Sequence, residues 1–145
     1  MADREQQGVT PHLCIDGCSG AIDFYKNALG AEEYLCMRSE DGRVMHAQIG
    51  IARTTVILCD PQPDLGARAI QELGGSPVGF YVYVANVDDA VRRAVDAGAK
   101  LVLPVADMAW GDRIGAVADP FGFRWTLATH THDVPAEDMR RALEP

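Results

Sequence analysis

No apolar run in the 145 residues approaches the roughly 18 that a membrane-spanning helix needs. The opening stretch Met1 to Gly8 is polar and carries acid where a secretory leader would have an apolar centre. No membrane role is expected, and a cytoplasmic protein is. Basic residues are scarce, with 13 Lys and Arg against 21 Asp and Glu for a formal net charge of −8. They are also scattered, so a polyanion would be repelled and nucleic acid is set aside as a partner. Paired cysteines are missing too. Cys14, Cys18, Cys36 and Cys59 form no CxxC arrangement, and each sits in or beside an apolar segment. Buried, reduced thiols are expected, rather than a disulfide framework or a thiolate metal site.

What is present is enough apolar material, 48% of the chain, to fill the core of one domain. Val9 to Asp16 alternates, with Pro11, Leu13 and Ile15 on one side and Thr10, His12 and Cys14 on the other, which predicts a strand. Ser19 is placed to cap a helix through Ala21, Ile22, Phe24, Tyr25 and Leu29 that stops at Gly30. Segments Glu33 to Ser39, Val44 to Ile51 and Thr54 to Asp60 read as strands joined by hairpins at Asp41-Gly42 and at Gly50 to Arg53. In the middle one Met45, Ala47, Ile49 and Ile51 share a face, leaving His46 and Gln48 on the other. Residues 61–77, rich in Pro and Gly, form a linker around a short helical piece, Ala67 to Leu73.

After the linker the same order restarts. Val78 to Ala85 is a strand with Phe80, Val82 and Val84 opposite Gly79, Tyr81 and Tyr83. Asn86 or Asp88 caps a helix through Ala90, Val91, Ala94 and Val95 that stops at Gly98. Strands follow at Lys100 to Val105, Arg113 to Asp119 and Phe123 to Thr129. Gly20-Ala21-Ile22 with Leu29-Gly30-Ala31 is echoed by Asp89-Ala90-Val91 with Ala97-Gly98-Ala99, so a duplicated module is the economical explanation. The expected fold is α+β. One domain over 9–130 consists of two βαβββ modules, 9–60 and 78–130. Residues 131–145 are a tail in which Glu137, Asp138, Arg140 and Arg141 suit the two ends of a short exposed helix.

Phe24-Tyr25 ahead of Leu29-Gly30-Ala31, Val44-Met45-His46-Ala47, Trp110-Gly111-Asp112-Arg113 and Asp119-Pro120-Phe121-Gly122-Phe123-Arg124-Trp125 together resemble the vicinal oxygen chelate superfamily. That superfamily comprises glyoxalases, bleomycin-resistance proteins and extradiol dioxygenases, and the chain looks most like its PhnB-like branch. The resemblance implies that the two modules form a cupped, barrel-like mixed sheet, in a homodimer, with a small organic ligand in its cavity. In metal-using members, His, Gln or Glu side chains from the first and last strands of each module hold a divalent ion, a Lewis acid for the substrate's vicinal oxygens. Carried over residue by residue, those positions fall here at Thr10, at Gly79, at Thr126 and within Val56 to Cys59. Such a set lacks the charge a hard cation needs, so no metal and no other cofactor is expected. By resemblance the chain is closer to the antibiotic-sequestering members, which bind bulky ligands directly.

Strand phase puts Thr10, His12, His46, Gln48, Tyr81, Tyr83, Arg124 and Thr126 on faces opposite the apolar ones, where they would line the cavity. Trp110, in a loop before Gly111, caps the cavity mouth or packs at a dimer interface. Arg113 and Arg124 engage a ligand anion or pair with neighbouring acids, and Trp125, out of phase with Thr126, belongs to the core. The leading functional expectation is metal-independent binding or sequestration of a small organic molecule. The alternative is a metal-dependent lyase, isomerase or dioxygenase with a relocated site built on His12 or His46.

Overall fold

The computed structural model describes residues 8–145, so the polar opening stretch up to Gln7 lies outside it. In the first module β1 (His12–Cys14) leads through α1 (Cys18–Leu29) to β2 (Glu32–Arg38), β3 (Val44–Ile51) and β4 (Thr54–Cys59). The linker holds a 3-10 turn (Pro63–Leu65) and α2 (Ile70–Leu73). The second module runs β5 (Phe80–Tyr83), α3 (Val87–Asp96), β6 (Lys100–Asp107), β7 (Asp112–Ala118) and β8 (Arg124–His130), and α4 (Ala136–Leu143) follows. Each module forms a four-stranded sheet, in the orders β1-β4-β3-β2 and β5-β8-β7-β6. The helix carries the chain to the far edge of the sheet, and two hairpins bring it back until the last strand pairs in parallel with the first. Both sheets are therefore mixed, and they do not close into a barrel.

The burial of α1 follows its sequence, since Cys18, Ala21, Ile22, Tyr25 and Ala28 recur at helical spacing and are the buried positions. Its start differs from expectation. Ser19 lies inside the first turn, the N-cap is Gly17 at φ 74, and the helix has no side-chain cap of its own. A remote carboxylate does that work. Asp60, just past β4, accepts hydrogen bonds from the Gly17 and Cys18 amides on Oδ1 (3.0 and 3.1 Å) and from the Val44 amide on Oδ2 (2.7 Å). It satisfies otherwise orphaned N–H groups and suits the positive end of the helix dipole. At α3 the cap is Asn86, whose Oδ1 accepts from the Asp89 amide at 3.1 Å.

Helices α1 and α3 pack against each other, and Arg93 of α3 donates to the Asn27 carbonyl at 2.7 Å. From α1, Tyr25 crosses into the second module. Its hydroxyl donates to Asp119 Oδ2 at 2.6 Å, and its ring lies 5.4 Å from that of Trp125. Trp125 in turn stacks on Phe80 at 4.5 Å, in the core as expected. One hydrophobic core thus joins the covered faces of both sheets, among them Leu13, Ile49, Val56 and Leu58 from the first and Val117, Trp125 and Leu127 from the second. Each large side chain buried there contributes about 1.5–3 kcal/mol. The modules are fastened through these covered faces, and the opposite faces remain uncovered. Among the described residues no helix is long and apolar enough to cross a membrane.

Candidate functional site

On the uncovered face of the first sheet, the pairing register aligns His12, Ile57, Gln48 and Leu35 in one row. His46 follows two residues before Gln48 on β3, and the Gln48 amide lies 3.1 Å from His46 Nε2 in a hydrogen bond. His12 lines a different place, a cavity of about 430 Å³ between β1 and the linker that also touches Cys14, Arg68, Ile70 and Phe123. Cys14 and Cys59 are register partners there. Burial, then the neighbouring Cys59, pushes the Cys14 thiol up to about 12. Burial followed by Asp60 does the same to Cys18. These thiols stay protonated at neutral pH and are poor nucleophiles.

The uncovered face of the second sheet holds a denser constellation. Tyr81 and Tyr83 on β5 reach across β8, over the rows of Thr126 and Ala128, to a carboxylate on β7. Both hydroxyls donate to Asp112 Oδ2, at 2.7 and 3.0 Å. Ala128 and Ala116 are fully buried although they lie on this face. On the other side of the carboxylate, His130 Nδ1 lies 2.9 Å from Asp112 Oδ1, and His130 Nε2 lies 2.7 Å from Asp133 Oδ1. The Trp110 indole N–H donates to the Tyr81 hydroxyl at 3.4 Å.

Asp112 is 3% exposed, and its burial would raise its pKa. The hydrogen bonds from Tyr81, His130 and Tyr83 outweigh that and hold it below the ordinary carboxylate value. Burial and then the bond to Asp112 push Tyr81 up to about 12, and Tyr83 rises mainly through its own bond to Asp112. Bonds to Asp112 and then Asp133 raise His130. A raised histidine stabilises the fold fully below the unfolded value of about 6.5 and loses that contribution as pH rises through the folded value. A depressed carboxylate stabilises above 3.8 and loses its contribution as pH falls through its folded value. The pair is therefore strongest between those limits. An NMR titration is expected to show a His130 midpoint above 6.5 that moves back down in Asp112→Asn. An ordinary midpoint would contradict the arrangement.

The sequence-predicted residues do not gather at one point. The structure brings Tyr81, Tyr83, Trp110 and Thr126 together, pairs His46 with Gln48, and sets His12 beside the linker. Thr10 is exposed ahead of β1, and Arg124 is exposed at the start of β8. Arg113 is engaged by acids on the helix side, with Nε 2.9 Å from Asp88 and Nη1 3.2 Å from Asp107. Sequence reasoning passed over Asp112 and His130 as site residues. Counting outward along both strands from the Asp119–Phe123 turn places them opposite one another, and that count was the available signal.

The positions that would hold a divalent ion in metal-using relatives do not fit one. Gly79 has no side chain, Thr10 stands outside β1, the Thr126 hydroxyl is uncharged, and β4 gives Val56 and Leu58 to the core. Among the described residues no three His, Cys, Asp or Glu side chains are placed to share a metal.

Beside this constellation lies a cavity of about 720 Å³, between the β3–β4 turn (Ile51, Ala52, Arg53, Thr54) and β5 with Trp125. Tyr81 and Tyr83 form part of its wall, and Pro11, Val56 and Phe80 are among its apolar lining.

Two βαβββ modules with open sheets and a side-chain-lined hollow define a class, and residues 10–127 match the family model described as Glyoxalase/Bleomycin resistance protein/Dioxygenase superfamily. The chain belongs to that superfamily. It is 38% identical over 146 aligned residues to Rv0887c of Mycobacterium tuberculosis, which covers 99% of this chain and 86% of that one. It is also similar to the crystal structure of the Arabidopsis thaliana At5g48480 product, with 30% identity, a TM-score of 0.68 and coverage of 84% and 98%. A PhnB protein of Bacillus cereus shares the fold at 17% identity, a TM-score of 0.65 and coverage of 85% and 99%.

Proposed function

We propose that the protein binds a small organic molecule without a metal ion, at the cavity walled by Tyr81 and Tyr83. The observation that carries this reading is the hollow itself. Its volume of about 720 Å³ falls in the range of small-molecule sites, and its wall combines apolar side chains with a few fixed polar groups. Phe80, Val56 and Trp125 supply burial, while Arg53 and Thr54 supply direction. Sequestration needs no more than this.

A homodimer accompanies this reading. Tyr34, Leu35 and Met37 on β2 and Leu101 and Val102 on β6 are exposed on edge strands, which a second copy would cover. Sedimentation is then expected to give twice the chain mass of 15.7 kDa.

Both tryptophans of the chain report on the site, Trp125 from the cavity wall and Trp110 through Tyr81. Titration with a panel of aromatic small molecules is expected to shift both indole N–H resonances saturably, and Tyr81→Ala to weaken the best ligand about tenfold. A panel that moves neither indole sinks the proposal.

A further inference from the structure

We infer that the preferred ligand is an organic cation, with its charge seated on the rings of Tyr81, Tyr83 and Trp110; this rests on the binding reading above and narrows it. The rings of Tyr81 and Tyr83 lie 5.4 Å apart with their planes inclined at 54°, so together they make a shallow trough rather than a flat shelf. They are 46% and 58% exposed, and Trp110 is 41% exposed, which leaves aromatic surface open to a ligand. One side of each tyrosine is committed to the sheet and its hydroxyl to Asp112, so the trough is held in place before anything binds.

Asp112 gives the trough its sign. A carboxylate cannot be placed under an aromatic surface without making it more attractive to positive charge, and this one accepts from both phenols. Hydrogen-bond donation to an anion enriches each ring in electron density, which strengthens the negative face that attracts cations. The one imidazole in the cluster, His130, lies between Asp112 and a second carboxylate, Asp133, so the surroundings are net negative whether or not it carries a proton. The chain's net charge of −8 raises the local concentration of cations further. An anionic ligand would be repelled at this end and could be held only at the opposite wall, by Arg53.

A matched trio of probes tests the sign of the site: N-methylacridinium, neutral 9-methylacridine and acridine-9-carboxylate, titrated at pH 8 and followed by tryptophan fluorescence. The cation is expected to bind about tenfold tighter than the neutral isostere and the anion weakest. Tyr83→Leu, on an exposed edge-strand position, should remove the preference, while Tyr83→Phe, which keeps the ring and loses the bond to Asp112, should retain part of it. Equal binding of cation and neutral probe overturns this inference and leaves the binding reading standing. Tightest binding by the anion overturns it too and hands selectivity to Arg53. A cation preference that survives Tyr83→Leu assigns it to the general surface charge and overturns the inference. If none of the three binds, the site reading itself fails.

Discussion

Replacing Asp119 by alanine is expected to cost the fold about 3–5 kcal/mol, a large share of the roughly 5–15 kcal/mol that a domain has in total. The carboxylate is 5% exposed and accepts from a converging set of donors. Oδ1 receives the amides of Phe121, Gly122 and Phe123 at 3.0, 2.9 and 2.9 Å, which shapes the β7–β8 turn. Oδ2 receives the Tyr25 hydroxyl at 2.6 Å and the Trp125 indole at 2.9 Å, which ties α1 to the second sheet. Alanine strands the Tyr25 hydroxyl and the Trp125 indole in the core and removes the acceptor that shapes the turn, where the Gly122 amide keeps only the Asp119 carbonyl at 3.3 Å. Asparagine keeps one oxygen but turns an NH₂ toward groups that also donate, so it should recover only part of the loss. Urea denaturation checks the prediction, with Asp138→Ala on the exposed α4 as a control expected to stay within about 0.5 kcal/mol. A drop below 1 kcal/mol would mean that the turn and the inter-module link stand without the carboxylate.

The contrast between Asp119 and Ser19 shows how much of this protein was legible in its sequence. Signals that act over a few residues were readable. The alternation of β3 gave its observed bounds, Val44–Ile51, and Gly30 stopped α1 where a left-handed residue was expected. The Gly-Ala echo between the two modules matched a real duplication of strand order. Ser19 failed as a cap because a carboxylate 43 residues beyond Gly17, Asp60, occupies that role, and no local pattern announces it. The site was half legible for the same reason. Strand phase put Tyr81 and Tyr83 on the face of β5 where the structure has them. Asp112, which anchors them, was visible only as part of a family motif, and His130 sits one residue beyond the expected end of its strand. Their partnership exists only once β7 and β8 are paired in register. Long-range pairing makes the site, and it also explains why His46 and His12, equally conspicuous in the sequence, end up with unrelated neighbours.

The sharpest test of that dependence is Gly111→Ala, expected to cost about 2–4 kcal/mol and to dismantle the Asp112 cluster at the same time. Gly111 stands at φ 92, where only glycine is unstrained. An added Cβ would run into the carbonyl oxygen of His132 and would come 3.1 Å from Val134 Cγ2. The Gly111 carbonyl also accepts from the Thr131 amide at 2.8 Å and the Thr131 hydroxyl at 2.7 Å, so the two strand ends are clamped face to face with no slack to absorb a methyl group. Relief can come only by separating residues 110–112 from 130–132, which pulls Asp112 away from His130 and frees Trp110 from Tyr81. The expected results are a lower melting temperature, a His130 midpoint that moves back toward its ordinary value, and at least tenfold weaker ligand binding. Gly42→Ala is the matched control. Its φ of 85 carries similar backbone strain, but nothing lies within 4 Å of the new Cβ. It should therefore lose about 1–2 kcal/mol and leave the His130 midpoint where it was. If both variants lose the same stability and both keep that midpoint, the clasp at Gly111 does not hold the site, and the tyrosines owe their position to the sheet alone.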